Sequence, residues 1–412
     1  MVKSFDVLII GGGHAGAQAA ISLRQHKFSG SIGILNREAE LPYERPPLSK
    51  GYLARDVSFD RILIRPAAFW EDRQINIIPG CDAISIDPQG KIVGLHDGDV
   101  IGYDQLIWAA GGVARELSCP GYAFDGVHTI RSRADADRII DTLETTQRVA
   151  VIGGGYIGLE AAAVLRKLGR EVVLFEAQSR LLARVSGETV SRFYDEEHRA
   201  RGVDVRLCTT IERIEGSHGG KVVGVRLSSG ELVPVQMIIV GIGILPEIGP
   251  LVSAGAEGGN GVVVDENGRT SLPGIFAIGD CAASPNTFAG GAPVRIESVQ
   301  NAHEMAGIAA RTIVGESRRD RAVPWFWSDQ YDLRLQTAGL LAGYDQEVVR
   351  GDQSARAFSV FYLRRGQVIA VDCVNSAKDF VQGRELIAAS AVVSSDLLGD
   401  RAISLKALIA ES

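Results

Sequence analysis

The 412-residue chain is 46% hydrophobic and 23% charged, which at about 100 to 200 residues per domain predicts two to four domains with sizeable cores. Lys plus Arg number 43 against 50 Asp plus Glu, a net charge of −7, so no global positive field recruits nucleic acid or an anionic membrane. No apolar stretch, the one around Met237 to Leu245 included, approaches the ~18 residues that a bilayer span needs.

The chain opens with MVKS and runs directly into the strand-like FDVLII, without a cleavable apolar segment of the secretory kind. A cytoplasmic setting is expected. Five cysteines, Cys81, Cys119, Cys208, Cys281 and Cys373, are widely spaced and odd in number. They fit neither a closed disulfide framework nor a metal knuckle, and are expected to be reduced and mostly buried. Glycine is the informative count, about 12% of the chain against the usual ~7%, and the excess lies in short clusters.

FDVLII breaks into GGGHAG and continues as AQAAISLRQH, a strand, a tight turn and a helix. RVAVI, GGGYIG and LEAAAVLRKLG repeat that grammar 142 residues later, and EVVLFEA follows as a second strand. Two dinucleotide-binding domains in one chain would produce this spacing, which is too long for a solenoid. YDQLIWAAGG (103–112) and SLPGIFAIGD (271–280) read as buried strands ending in glycine turns, one on each side of the second unit. The first domain is therefore expected at 1–112 and 240–320, interrupted by the second at 113–239. The charged, proline-containing GESRRDRAVPW marks a boundary, after which 321–412 is expected to form a small antiparallel sheet with helices packed on it. The predicted class is α/β, with two Rossmann-like domains and a C-terminal α+β domain.

Gly11, Gly13 and Gly16 fit GxGxxG, in which the first glycine turns the chain, the second lets backbone approach a pyrophosphate and the third lets the helix pack closely. Gly153, Gly155 and Gly158 repeat the pattern in the same context. Glu176 lies 18 residues beyond Gly158, near the ~20 expected of the carboxylate that holds a ribose 2′-hydroxyl. A carboxylate there repels a 2′-phosphate and favours NADH, although the neighbouring Arg180 and Arg184 leave NADPH open. Asn36 occupies the equivalent place in the first unit, able to hydrogen-bond but uncharged. Asp280, directly after a buried strand and Gly279, suits a polyol hydroxyl. Glu297 and Ser298 suit the first turn of the helix that VRIESVQNAHEMAGIAA begins, whose free N–H groups would favour negative charge on a ligand.

GGGHAG, YERPPLSKGYL, VIGGGYIGLEAA, TSLPGIFAIGD, ESVQNA and WFWSDQYDLRLQTAG, in that order and spanning nearly the whole chain, resemble the flavin-dependent pyridine-nucleotide reductases of the glutathione-reductase fold. Within them the match is to NADH-dependent ferredoxin reductases of putidaredoxin-reductase type, which serve cytochromes P450 or ring-hydroxylating dioxygenases. One departure is AAG (Ala109, Ala110, Gly111) where that family has ATG. The resemblance implies FAD in the first domain, contacted by Gly11, Gly13, His14, Ala15, Gly16, Asn36, Arg37, Arg45, Lys50, Ala110, Arg115, Gly279, Asp280, Glu297, Ser298, Val299 and Trp327. It implies NADH in the second, contacted by Gly153, Gly155, Tyr156, Ile157, Gly158, Glu160, Glu176, Arg184, Gly241 and Gly243. Its partner is a [2Fe–2S] ferredoxin, and the chain is expected to be a monomer with no metal site.

Lys50 and Glu160 are the expected catalytic tuners. A cation beside the isoalloxazine favours hydride acceptance, and Glu160 would pair with it. Read without the resemblance, an isolated Lys50 would be a solvated loop lysine, against which the two prolines of RPPLSK stiffen its approach, and Glu160 has the alternative of a first-turn helix glutamate favoured by the macrodipole. Disulfide reductases of this fold carry CxxxxC where this chain has PPLSKGYL, and oxidase or peroxide-reducing relatives carry one cysteine there. Without a thiol to pass electrons to, the flavin must discharge to an external carrier. Trp325 and Trp327 would line the carrier dock or serve as plain core, and Arg318, Arg319 and Arg321 would meet an acidic ferredoxin or form a solvated charge run. A rubredoxin reductase, an NADH oxidase and an apoptosis-inducing-factor-like redox-switch protein are the alternatives the same motifs support.

Overall fold

An unbroken apolar run such as FDVLII is what a parallel strand covered on both faces requires. In the computed structural model, which describes residues 2–316 and 321–410, it lies in the strand Lys3–Ile10, where Val7, Leu8 and Ile9 have no exposed surface. Ile32–Asn36 and Ile75–Pro79 extend the sheet in parallel on one side, and Val100–Trp108 lies parallel on the other. Ile275–Ala277 pairs with Val100–Trp108 in parallel, and Ala83–Asp87 with Ile92–Leu95 adds an antiparallel hairpin. The helices His14–Gln25 and Val299–Ile313 pack together through small residues, Ala17, Ala20, Ala302, Ala306 and Ala309 among them. Trp108, 1% exposed, donates its indole N–H to the Glu247 carbonyl at 2.7 Å, fastening the returning chain to the sheet. The residues up to Glu44, Phe59–Val113 and Leu245–Trp325 make this first compact unit.

The second unit comprises Arg45–Ser58, Ala114–Ile244 and the chain from Phe326 onward. Its parallel sheet runs in the order Val203–Arg206, Glu171–Phe175, Arg148–Ile152, Met237–Val240, Val127–Thr129. An antiparallel three-stranded sheet, Ile211–Gly216, Val222–Leu227 and Leu232–Pro234, is attached to it. A five-stranded antiparallel sheet follows, ordered Trp325–Gln330, Leu333–Gly339, Gln367–Val374, Ala357–Arg364, Gln346–Asp352, with the helix Ala377–Ala388 packed on it.

The segment 45–58 differs from the expectation that 1–112 stays together. Leu53 is wholly buried in the core that also holds Leu159 and Leu335, Tyr52 donates to Asp137 at 2.6 Å, and Arg45 donates to the Arg131 carbonyl at 2.5 Å. One buried leucine and a set of long-range polar contacts thus draw Lys50 into the second unit. No local pattern in the sequence announces such an excursion.

Candidate functional site

In open parallel sheets ligands sit beyond the carboxyl ends of the strands, where the strand order reverses. The first unit has that reversal at Lys3–Ile10, flanked by the second strand on one side and by Val100–Trp108 on the other. Gly11 follows this strand at φ +106°, and a methyl on it would overlap the Ala109 carbonyl oxygen. Only glycine takes that conformation at that distance. A methyl on Gly16 would overlap the Gly11 carbonyl oxygen, so the helix His14–Gln25 is seated directly on the turn. Gly13 is the N-cap of that helix, with no side chain filling the cap and no acidic residue in the first turn. The free N–H groups and the positive end of the helix form a cradle that fits a pyrophosphate.

The second unit builds the same cradle independently. Gly153 has φ +108° and abuts Gly241, whose carbonyl oxygen would stand 2.5 Å from a Cβ on Gly153, while a methyl on Gly158 would overlap the Gly153 carbonyl. Gly155 caps Tyr156–Lys167, again with no side-chain cap and no acidic first turn. Glu176 closes the next strand and lies against the loop, accepting from the N–H of Gly154 at 2.6 Å and of Gln178 at 2.7 Å. Arg180 is not available to a 2′-phosphate as the sequence left open. Its guanidinium donates to the carbonyls of Ser186 (2.8 Å) and Ala183 (2.9 Å) and to the Ser191 hydroxyl (2.6 Å). Arg184 is exposed and reaches toward Gly243. Ile157 is exposed at the helix start, whereas Tyr156 stacks its ring 4.5 Å from Phe326 and sends its hydroxyl end into the interior. Burial, with the negative Asp372 nearby, holds that phenol well above its ordinary pKa.

Around the first cradle, Asn36 is 5% exposed and donates to the Glu40 carbonyl at 2.7 Å. Arg37 pairs with Asp82 at 2.8 Å and Glu247 at 3.6 Å, and the His14 ring lies 5.7 Å from that of His303. Ala15 is buried beneath Gly279, and Ala110 is half-buried. Asp280 lies in the short turn Gly279–Cys281, whose carbonyl Arg295 contacts at 3.0 Å while pairing with Glu297 at 2.7 Å. Val299 opens the last helix of this unit, but its N-cap Ser298 accepts from the Asn301 N–H at 3.1 Å. That helix start is therefore partly satisfied by its own side chain, unlike the two cradles. In the second unit, Arg115 is exposed and donates to the Ile244 carbonyl at 3.2 Å, and the Trp327 ring is half-buried beside Phe326. Arg318 and Arg319 lie outside the described residues.

Lys50 and Glu160 meet. Lys50 Nζ stands 2.6 Å from Glu160 Oε2 and 3.3 Å from the Pro46 carbonyl, and Glu160 is 1% exposed on the interior face of its helix. Two residues unmarked in the sequence complete the carboxylate's shell: Ser49 donates to Oε2 at 2.6 Å and Ser328 to Oε1 at 2.6 Å. Burying a carboxylate is costly unless it is paired and hydrogen-bonded in this way. Both serines lie inside motifs that carry the family resemblance, Ser49 in YERPPLSKGYL and Ser328 in WFWSDQYDLRLQTAG, but neither was singled out and nothing local tied either to Glu160.

The thiols are less buried than expected. Cys281 and Cys373 are buried, Cys81 and Cys119 half-buried, and Cys208 exposed, the last in a left-handed turn (φ +51°) following the edge strand Val203–Arg206. Among the described residues no helix is long and apolar enough to cross a membrane.

Residues 5–306 match the family model "Pyridine nucleotide-disulphide oxidoreductase" and residues 325–409 the model "Reductase C-terminal". A 5,5′-dehydrodivanillate O-demethylase ferredoxin reductase subunit from Sphingobium sp. is 55% identical over 98% of both chains. The crystal structure of the covalent putidaredoxin reductase–putidaredoxin complex superposes with a TM-score of 0.95 at 38% identity, covering 99% of this chain and 98% of that one. The ferredoxin reductase for the CYP199A2 system of Rhodopseudomonas palustris gives 0.94 at 37% identity, covering 98% and 99%. This chain belongs to the pyridine nucleotide-disulphide oxidoreductase family, on the branch that carries the Reductase C-terminal region and resembles putidaredoxin reductase.

Proposed function

We propose that the chain is an FAD-dependent ferredoxin reductase that oxidises NADH and supplies single electrons to a [2Fe–2S] ferredoxin serving a cytochrome P450 or a ring-hydroxylating dioxygenase. The observation that carries this is the pair of independently built, uncapped glycine cradles, one in each unit. They match what a protein holding two dinucleotides at once requires. Bound FAD supplies the conversion between a two-electron hydride from the nicotinamide and two one-electron deliveries. In the first unit Gly11, Gly13 and Gly16 hold its pyrophosphate and Asp280 its polyol chain. In the second, Gly153, Gly155 and Gly158 hold the pyrophosphate of NADH and Glu176 its adenosine ribose. Lys50 provides a positive charge that Glu160 keeps in place, and no side chain is required as acid or base for hydride transfer itself. A monomer working in the cytoplasm is part of this reading.

The test is anaerobic reduction of the yellow protein with one equivalent of NADH, followed by stopped-flow mixing with an oxidised [2Fe–2S] ferredoxin, a rubredoxin or oxygen. Fast bleaching of the ferredoxin cluster with slow oxygen reaction is expected. Preference for rubredoxin or oxygen would replace the carrier, and slow reaction with every acceptor would indicate a redox switch.

Coenzyme choice is tested separately. Glu176→Ala is expected to raise the NADPH to NADH ratio of kcat/KM at least about tenfold, because juxtaposed like charges cost several kcal/mol. An unchanged ratio would remove Glu176 from the 2′-hydroxyl.

A further inference from the structure

Behind Glu160 runs a line of buried polar groups that neither cradle accounts for. Ser328, which donates to Glu160 Oε1, accepts from Gln330 Nε2 at 3.1 Å. Gln330 Oε1 lies 2.9 Å from His198 Nε2, and His198 Nδ1 lies 3.1 Å from the Tyr331 hydroxyl. Ser328 and His198 have no exposed surface, and Gln330 and Glu160 are each 1% exposed. With Nε2 protonated and Nδ1 accepting, every donor in the line points toward Glu160, from Tyr331 through His198, Gln330 and Ser328. Burial pushes the His198 pKa down to about 4 and keeps the ring neutral, as this direction of donation requires. The Arg201 guanidinium covers the far end, 4.3 Å from the centre of the Tyr331 ring.

Such a line is costly to bury unless every member is satisfied, and it joins three elements of different parts of the unit. Glu160 belongs to the second motif helix, His198 to the helix Glu188–Ala200, and Ser328 and Gln330 to an edge strand of the antiparallel C-terminal sheet. Alternate residues of a strand face the same way, so the spacing of two between Ser328 and Gln330 stacks their side chains in the direction of the helix. Asp329, between them, is exposed.

We propose that Ser328, backed by Gln330 and His198, is a positioning residue that holds the Glu160 carboxylate against Lys50, so that the C-terminal sheet sets where the charge of Lys50 stands. This rests on the reading of Lys50 and Glu160 as tuners of the flavin, and the experiment separates the two.

Ser328→Ala, Ser328→Thr, Gln330→Met, Glu160→Gln and Lys50→Ala are each prepared as holoenzyme. The limiting rate of flavin reduction and the dissociation constant for NADH are measured by stopped flow, the flavin midpoint potential by equilibration with redox dyes, and Tm alongside. Ser328→Ala is expected to lower the limiting rate about tenfold, the size of one lost hydrogen bond to a charged group, with the NADH dissociation constant unchanged. It should shift the potential in the same direction as Glu160→Gln, and Ser328→Thr should restore both. Gln330→Met, which keeps the hydroxyl and removes the donor behind it, should shift both in the same sense by less, and decides the matter if Ser328→Ala does not fold. Wild-type rate and potential in Ser328→Ala, with Glu160→Gln or Lys50→Ala altered, would overturn the proposal alone. A fall in Tm that accounts for the rate and is not restored by threonine would overturn it as well. Unaltered rate and potential in Lys50→Ala and Glu160→Gln would overturn the tuning role of the pair, and this proposal with it.

Discussion

Gly16→Ala is expected to bind flavin at least about tenfold more weakly, while Gly158→Ala keeps its flavin and binds NADH at least about tenfold more weakly. In each cradle the added methyl would overlap a carbonyl oxygen of the turn, that of Gly11 or of Gly153. Neither turn can yield. Gly11 and Gly153 themselves stand at φ +106° and +108°, hard against the Ala109 and Gly241 carbonyls. The helix must therefore lift, and its N–H groups leave the position a pyrophosphate needs. Overpacking of this kind costs about 1–3 kcal/mol, and 1.4 kcal/mol is about tenfold in affinity. The dissociation constant for FAD in Gly16→Ala and that for NADH in Gly158→Ala should each rise about tenfold or more. Titrations of the flavin-stripped protein with FAD and of the holoenzyme with NADH read the two effects. Weakened FAD binding in Gly158→Ala with unchanged FAD binding in Gly16→Ala would exchange the two cofactor assignments.

Asp372→Asn is expected to remove a dependence of stability on pH that the native protein carries. Asp372 is 1% exposed, accepts from the Tyr362 hydroxyl at 2.7 Å through one oxygen, and its other oxygen has no hydrogen-bond partner among the described residues. Burial pushes its carboxyl up to about 7 from the ordinary 3.8. A raised folded value means that the folded chain binds this proton more tightly than the unfolded chain does. The stability it contributes is full below about pH 4, declines as the pH rises through about 7, and is gone above. The gap corresponds to roughly 4 kcal/mol at its full extent. Asparagine keeps an acceptor for Tyr362 and has no proton to lose. Thermal unfolding midpoints of the two proteins should therefore nearly coincide at about pH 4 and separate steadily up to about pH 7, beyond which the gap stays constant, with the variant the more stable. A difference that stays constant with pH would show that Asp372 is ionised throughout.

Much of the protein was legible from its residues in order. Both glycine turns, their strands and helices, the buried runs ending at Trp108 and Ala277, and the antiparallel character of the C-terminal sheet follow from local demands. A φ that only glycine adopts, a two-residue or a 3.6-residue period, and an apolar run are visible within a dozen positions. Glu160 had a local explanation as well, and that explanation was incomplete. Its helix position said nothing of Ser49, 111 residues away, or of Ser328, 168 residues away, because a serine carries no signature of the partner it meets.

Arg180 shows the same limit from the other side. Its charge and its place near Glu176 made it a candidate for a phosphate, and only the folded loop revealed the carbonyls of Ala183 and Ser186 that claim it. The segment 45–58 was kept with its neighbours in sequence until Leu53, Tyr52 and Arg45 were seen packing with the second unit. The two cradles can be read from a few adjacent residues, because steric exclusion around a glycine turn is local. The surroundings of Lys50 and Glu160 come from the fold, because a buried ion pair is stabilised by donors that distant parts of the chain bring to it.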